Sequence, residues 1–311
     1  EGLKLKDIAE GKEEFLRVGK EAVRSGKVAA VLLAGGMGTR LGSDAPKGVY
    51  DIGITKPLYI FEQLIRNLQD VCGDCGGVVP LYIMTSETND VATRKFLKEH
   101  DFFGYPESAV RFFLQDMAAC VDFEGNLLLE ARDRLALSPN GNGGWYTSLF
   151  RAGLIDEAKA QGVEWFNVFA VDNVLQRIAD PAFVGATVLS GRKSGAKVVC
   201  KANPYEKVGV LCLEDGSPSV IEYYELTGEM ANMRDQSGDL VYSYGVILNY
   251  LFRLDRLEEI AREKIPTHVV KKKIPYLDET GNLVKPETEN GYKFEMLILD
   301  MARLMASCRP Y

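Results

Sequence analysis

The sequence predicts an α/β fold, a mixed and mainly parallel sheet flanked by helices, on three observations. Short apolar runs (Val28–Leu33, Val79–Thr85, Val110–Leu114 and Trp165–Val171) alternate with segments of helical spacing, the rhythm of βαβ units. A glycine-rich loop leaves the first of these runs. From about residue 196 the runs are joined by turn sequences, Asn203-Pro204 and Asp215-Gly-Ser, instead of helices. That change predicts antiparallel strands added to the same sheet.

In chain order, Ile8 to Arg24 reads as a charged amphipathic helix and Val28 to Leu33 as a buried strand. Pro57 to Val71 has helical spacing, with Pro57 suited to a first turn. Val79 to Thr85 is a second buried strand, and Ser86 is placed to cap a helix over Asn89 to His100. Val110 to Leu114 is a third strand, and Val121 to Glu130 a hairpin around Gly125-Asn126. Trp145 to Gln161 is expected to be helical, and Trp165 to Val171 a buried strand ending in Asp172-Asn173. Ala196 to Lys201, Val208 to Leu213 and Val220 to Tyr224 are strand-like, whereas Gly245 to Glu263 and Phe294 to Met305 are expected to be helical. No internal repeat, low-complexity tract or linker is visible. The simplest division is an N-terminal helical segment over residues 1–26 and one catalytic domain over 27–311.

Composition narrows the class. The chain has 311 residues, 46% hydrophobic and 26% charged, an ordinary globular make-up. Its net charge of −7 argues against a nucleic-acid surface, which needs a basic footprint. The apolar run Val28 to Ala34 is far too short to cross a bilayer, and no signal peptide is visible. The first residue is Glu1 and the last residues follow a helical pattern without a stop. A fragment at both ends is therefore expected. Cys72-Gly-Asp-Cys75 is a lone C-x-x-C, and His100 and His268 are the two histidines in the chain. A surface turn with incidental thiols is the simpler reading than zinc. Scattered cysteines without a secretory signal lead to the expectation of a reducing cytoplasm.

The loop from Leu33 to Gly48 reads Leu-Ala-Gly-Gly-Met-Gly-Thr-Arg-Leu-Gly-Ser-Asp-Ala-Pro-Lys-Gly. Four glycines (Gly35, Gly36, Gly38 and Gly42) expose bare amides directly after a strand, a natural cradle for phosphate or a base. Arg40 and Lys47 supply positive charge. A dinucleotide fingerprint fails, because Gly42 comes one position late for G-x-G-x-x-G. A Walker loop fails because Lys47 stands between Pro46 and Gly48. Ligands of open α/β sheets bind at the carboxyl ends of the strands. Two further segments qualify there: Ser138-Pro-Asn-Gly-Asn-Gly-Gly144 and Val171-Asp172-Asn173. Asp172 reads either as a Mg²⁺ ligand or as a helix cap for Val174 onward.

Together these segments resemble the signature of UDP-sugar pyrophosphorylases, with the eukaryotic UDP-N-acetylglucosamine pyrophosphorylase branch the best match. The likeness starts at Leu33-Ala-Gly-Gly-Met-Gly-Thr-Arg-Leu-Gly with Pro46-Lys47-Gly48. It continues in order through Tyr82-Ile-Met-Thr-Ser86, Phe112-Phe113-Leu114-Gln115, Asn140-Gly-Asn-Gly-Gly144, Val171-Asp-Asn173, Val208-Gly209-Val210, Ile221-Glu-Tyr223 and Asn290-Gly-Tyr-Lys293. The resemblance implies a Rossmann-like nucleotide-diphospho-sugar transferase fold and a Mg²⁺-dependent uridylyltransferase. Its substrates would be UTP and a hexose 1-phosphate, with N-acetylglucosamine 1-phosphate foremost. It implies that Leu33, Ala34, Gly35 and Gly36 hold the nucleotide, and that Gln115 and Gly141 read the uracil. Asn142, Gly209, Glu222 and Tyr223 would line the sugar pocket. Asp172 would bind Mg²⁺, while Arg40, Lys47 and Lys293 would serve the reacting phosphates. Glu222 suits sugar hydroxyls as a bidentate acceptor, or is simply a strand residue facing solvent.

Three departures from the family pattern stand out. The family's Ala-Gly-Asn-Ile segment reads Tyr244-Gly245-Val246-Ile247 here, so one polar contact to the sugar is expected to be lost. Two aromatic positions after Lys293 are Leu297 and Leu299. A further phosphate-binding lysine, in a Ser-Pro-Leu-Lys stretch, falls beyond Tyr311. The alternatives are therefore a UTP–glucose-1-phosphate uridylyltransferase and a nucleotide-binding module inactive through truncation. An NAD-dependent oxidoreductase is disfavoured by the glycine spacing.

Overall fold

Alternate residues of the first strand point to opposite faces, and both faces are packed. Val28, Ala30 and Leu32 enter one hydrophobic core, and Ala29, Val31 and Leu33 enter another. A strand buried on both faces lies in the middle of a sheet covered by helices on both sides. The computed structural model describes residues 2–261, 263 and 265–311 and has that architecture.

The nine strands of the main sheet are β1 (Val28–Leu33), β2 (Leu81–Thr85), β3 (Val110–Leu114), β4 (Trp165–Ala170), β5 (Ser194–Cys200), β6 (Val210–Glu214), β7 (Ser217–Ile221), β8 (Tyr244–Arg253) and β9 (Cys308–Pro310). Their order is β7-β6-β8-β4-β1-β2-β3, with β5 paired to β8 and β9 paired to β5. β3, β2, β1 and β4 run parallel, and β8 is antiparallel to β4, β5 and β6. The chain leaves β1 for β2 and β3 on one side and returns to β4 on the other. The β1–β4 boundary is thus the topological switch point where open α/β sheets bind ligands.

The helices are α1 (Leu5–Arg24), α2 (Ile60–Cys75), α3 (Asp90–Glu99), α4 (Trp145–Arg151), α5 (Leu154–Ala160), α6 (Pro181–Leu189), α7 (Gly228–Asn232), α8 (Leu254–Ile260) and α9 (Met301–Leu304). α1 lies along α6. Beside the main sheet, Gly291–Glu295 pairs with both His268–Lys272 and Val121–Asp122 in a three-stranded sheet.

Several sequence expectations are corrected. Gly245 to Glu263 is not one helix: the apolar run Tyr244–Arg253 is a ten-residue strand, and a helix begins only at Leu254. Arg262 in that stretch, and Glu1 in the N-terminal segment, lie outside the described residues. An apolar run without strict alternation looks alike as a buried helix and as a strand packed on both faces. Phe294 to Met305 splits into the end of a strand, a 3₁₀ turn over Ile298–Asp300 and the four-residue α9. Trp145 to Gln161 breaks at Gly153, which adopts a left-handed conformation with φ +73° between α4 and α5. Pro57 precedes α2 instead of opening it. Ser86 does not cap α3 through its side chain: its backbone N–H donates to Asn89 Oδ1. Cys72 and Cys75 sit at the end of α2, with Cys75 buried, not in a surface turn. All six cysteines are free. Among the described residues, no helix is long and apolar enough to cross a membrane.

Candidate active site

The glycine loop leaves β1 at Leu33 and is held by a residue that sequence reasoning missed. Asn89, fully buried at the start of α3, donates its amide to the carbonyls of Ala34 (2.9 Å) and Gly36 (3.2 Å). Those two carbonyls are thereby turned toward α3. The loop folds back on itself through Lys47 N–H to Gly36 O (3.2 Å) and Gly38 N–H to Ala45 O (2.9 Å). The signal for Asn89 was present, because asparagine is a favoured first residue of a helix. Its side chain faces the loop instead of its own helix.

Gln115 follows β3 and is nearly buried. Its backbone N–H continues the sheet to Thr85 O (2.7 Å). Its side-chain amide donates to Gly141 O at 2.7 Å. The same amide crowds Gly35: a Cβ on Gly35 would lie 2.5 Å from Gln115 Oε1. Leu33 to Gly36, Gln115 and Gly141 are therefore brought together. Two buried oxygens nearby, Ser86 Oγ and Asn140 Oδ1, have no hydrogen-bond partner among the described residues. Buried polar atoms are normally satisfied, so unpaired ones at a strand-end crevice point to a polar ligand.

The loop from Asn140 to Gly144 is seated on the backbone of Met296 to Ile298. Met296 N–H donates to Asn140 O (2.7 Å), and Gly143 N–H donates to Met296 O (2.8 Å). Gly141 has φ +86° and ψ 169°, a region open essentially to glycine alone. A Cβ there would stand 2.2 Å from Met296 O. Asn142 Oδ1 accepts from Ile298 N–H at 3.0 Å. The acceptor of Asn142 thus holds the loop, leaving its amide N–H₂ for a ligand. Leu297 takes part in this seat through its backbone, which lies against Gly143.

Across the switch point, Lys47 Nζ donates to Asp172 Oδ1, joining the loops that leave β1 and β4. The Lys47 side chain is 20% exposed and Asp172 64%. The pair lies at the mouth of the crevice, and Gly36 is the residue under the lysine tip, with 4.0 Å between a Cβ there and Nζ. Asp172 caps no helix: residues 171–180 are turns, and α6 is capped by Asp180, which accepts from Ala182 N–H at 3.2 Å. That removes the capping alternative. Among the described residues, no group of three or more His, Cys, Asp or Glu side chains could hold a metal.

A third cluster unites Gly209, Glu222 and Val246. A Cβ on Gly209 would lie 3.5 Å from both Glu222 Oε2 and Val246 Cγ2, and Val246 N–H donates to Gly209 O at 2.9 Å. Burial, with the Glu225 carboxylate second, pushes the Glu222 pKa above the usual carboxylate range; the Tyr223 N–H and His268 oppose the rise. Tyr223 is 43% exposed and meets Tyr224 edge-on at 5.3 Å.

Two predicted cations are not tied into these clusters. Arg40 lies exposed in a 3₁₀ turn over Thr39–Leu41, and Lys293 lies on the strand Gly291–Glu295 opposite Val270. Neither has an ion-pair partner among the described residues. Both are free to meet an anion.

A family model described as UTP–glucose-1-phosphate uridylyltransferase matches residues 5–298. The chain is 46% identical over 284 residues to UDP-N-acetylhexosamine pyrophosphorylase-like protein 1 of Mus musculus, covering 88% of this chain and 56% of that protein. It is 39% identical over 297 residues to the UDP-N-acetylglucosamine pyrophosphorylase of Saccharomyces cerevisiae, covering 93% of this chain and 62% of that one. The crystal structure of the uridine diphosphate N-acetylglucosamine pyrophosphorylase from Trypanosoma brucei, in complex with an inhibitor, superposes with a TM-score of 0.85 at 27% identity. That superposition covers 99% of this chain and 64% of the other. The chain thus spans less than two thirds of the length of each of these three relatives.

Proposed function

Because the chain belongs to the UTP–glucose-1-phosphate uridylyltransferase family, we propose that it transfers the uridylyl group of UTP to a sugar 1-phosphate, releasing pyrophosphate. N-acetylglucosamine 1-phosphate is the foremost acceptor. One observation carries the reading: the glycine loop, the Gln115–Gly141 contact and the Lys47–Asp172 pair converge at the carboxyl edge of β1, β3 and β4. In the reaction, a phosphate oxygen of the sugar phosphate bonds to the α-phosphorus of UTP. The bond from that phosphorus to the bridging oxygen breaks, and its electron pair leaves with pyrophosphate. The obstacle is anion meeting anion, so positioning and charge neutralisation supply the catalysis.

Leu33, Ala34, Gly35 and Gly36 provide the bare backbone for the nucleotide. Gln115 and Gly141 meet the uracil, whose polar edge would also satisfy Ser86 Oγ and Asn140 Oδ1. Lys47 turns its ammonium from Asp172 to the phosphates, and Arg40 and Lys293 add mobile positive charge there. Asn142, Gly209, Glu222 and Tyr223 receive the sugar, with Glu222 accepting from its hydroxyls. Mg²⁺ is the expected cofactor. A single exposed carboxylate beside the phosphate position fits it, because Mg²⁺ is commonly held by one or two carboxylates plus substrate phosphates and water. Asp172 would hold the ion, which when bound offsets phosphate charge. The six free cysteines support a reducing compartment such as the cytoplasm.

A pyrophosphate-release assay with UTP and a panel of N-acetylglucosamine, glucose and galactose 1-phosphates tests the proposal. Lys47→Ala and Asp172→Ala should each slow turnover by about 10²–10³. Both variants near wild type would sink the assignment. UTP binding without turnover by the unaltered chain would favour a nucleotide-binding module, and a preference for glucose 1-phosphate would shift the acceptor.

A further inference from the structure

Residues 171–180, which carry Asp172 away from β4, contain no regular secondary structure. They are nevertheless held from three sides by side-chain amides. Asn67 on α2 donates to the carbonyls of Val174 (2.9 Å) and Gln176 (3.0 Å). Asn249 on β8 donates to Gln176 Oε1 at 3.0 Å. Asn167 on β4 accepts from Ala179 N–H at 2.7 Å, and donates to Asn249 Oδ1 (2.8 Å) and Tyr250 O (2.9 Å). Gln176 closes the circuit by donating to Ala170 O, the end of β4, at 2.9 Å.

Asn167 and Asn249 are fully buried and Gln176 is nearly so. Burying three primary amides inside an α/β core is costly unless each is satisfied, and here each finds partners. Any apolar residue would pack a core; a closed amide circuit instead specifies where one loop must lie. Immediately before Asn249, Leu248 has φ +53°, an unusual conformation for a side chain branched beyond Cβ. Such strain persists only where the surroundings over-determine it, and it clusters at functional sites. The bend divides β8. Its first half carries Val246 beside Gly209 and Glu222, and its second half carries Asn249.

We propose that Gln176 and Asn249 are positioning residues that hold loop 171–180 so that Asp172 faces Lys47. This rests on the reading of Asp172 as the cation-binding end of the site. The test uses Gln176→Met, which keeps the volume, lies outside the sheet and removes both amide bonds. Asn67→Ala, on a helix surface, loosens the same loop if the first variant fails to fold. Three readouts are taken: amide hydrogen exchange of residues 171–180, Mn²⁺ affinity in the presence of UTP, and kcat and KM for UTP.

The expected result is exchange about ten-fold faster in that loop alone, Mn²⁺ bound about ten-fold more weakly, and kcat lowered about ten-fold with KM for UTP within about three-fold. Faster exchange with unchanged Mn²⁺ affinity and kcat would overturn the proposal, as would unchanged exchange. Asp172→Asn separates the two levels. If it keeps wild-type Mn²⁺ affinity and turnover, the reading of Asp172 fails. If it loses both while Gln176→Met and Asn67→Ala keep both, only the positioning role fails.

Discussion

Alanine at position 35 tests the nucleotide end of the site through a single contact. Its Cβ would stand 2.5 Å from Gln115 Oε1, about 0.9 Å inside an ordinary carbon–oxygen contact. The glutamine amide is the end of a flexible side chain, so it gives way and the fold survives. The 2.7 Å bond from its Nε2 to Gly141 O does not. Losing that bond and leaving the half-buried Gly141 carbonyl without its partner costs about 1–3 kcal/mol, or about 5- to 150-fold in affinity if UTP binding depends on the arrangement. Calorimetric titration with UTP measures it for Gly35→Ala, Gln115→Ala and the double variant. If alanine acts by displacing Gln115, the double variant binds no more weakly than Gln115→Ala. Additive losses, or wild-type affinity in Gly35→Ala, would refute the reasoning.

Gly141→Ala should damage stability as well as binding: the glycine-only conformation costs about 1–3 kcal/mol, and the overlap with Met296 O adds to it. A melting temperature lowered by about 2–5 °C is expected by scanning calorimetry for a chain of this length, and an unchanged one would contradict the geometry. The Glu222 carboxyl, raised by burial and by Glu225, takes up a proton at a pH where an ordinary carboxyl is still ionised. Its acceptor role is then lost from above the usual carboxylate range as pH falls, so kcat/KM should show an acid limb there. Glu225→Gln removes a raising charge and should move that limb to lower pH; a limb that stays put would exclude Glu222 as its source. The sign for stability is the reverse: the ionised form is the costly one, so Glu222→Gln should stabilise the fold at neutral pH more than at low pH.

Much of the scaffold was legible because its parallel strands announce themselves locally. Val28–Leu33 and Trp165–Ala170 are buried on both faces and, Asn167 apart, apolar, a pattern that needs a central position in the sheet. Tyr244–Arg253 is ambiguous for the same reason turned around: ten mostly apolar residues satisfy a buried helix equally well. Its identity as a strand comes from its pairing with β4, β5 and β6, partners remote in sequence. The roles of Asn89 and Gln176 are not legible in the sequence because a buried amide carries no periodic signature; its meaning lies in the atom it faces.

The sequence by itself determined that a glycine loop with Arg40 and Lys47 follows a buried strand, that Asp172 follows another, and that both lie at carboxyl ends. These are local facts, written in apolar runs and in the residues that end them. The tertiary structure decided which of these groups meet. Lys47 reaches Asp172 across 125 positions of sequence because β1 and β4 are neighbours. Glu222, Gly209 and Val246 cluster because β6 pairs with both β7 and β8. Strand order and register are set by the packing of the whole sheet, which no stretch of residues specifies alone.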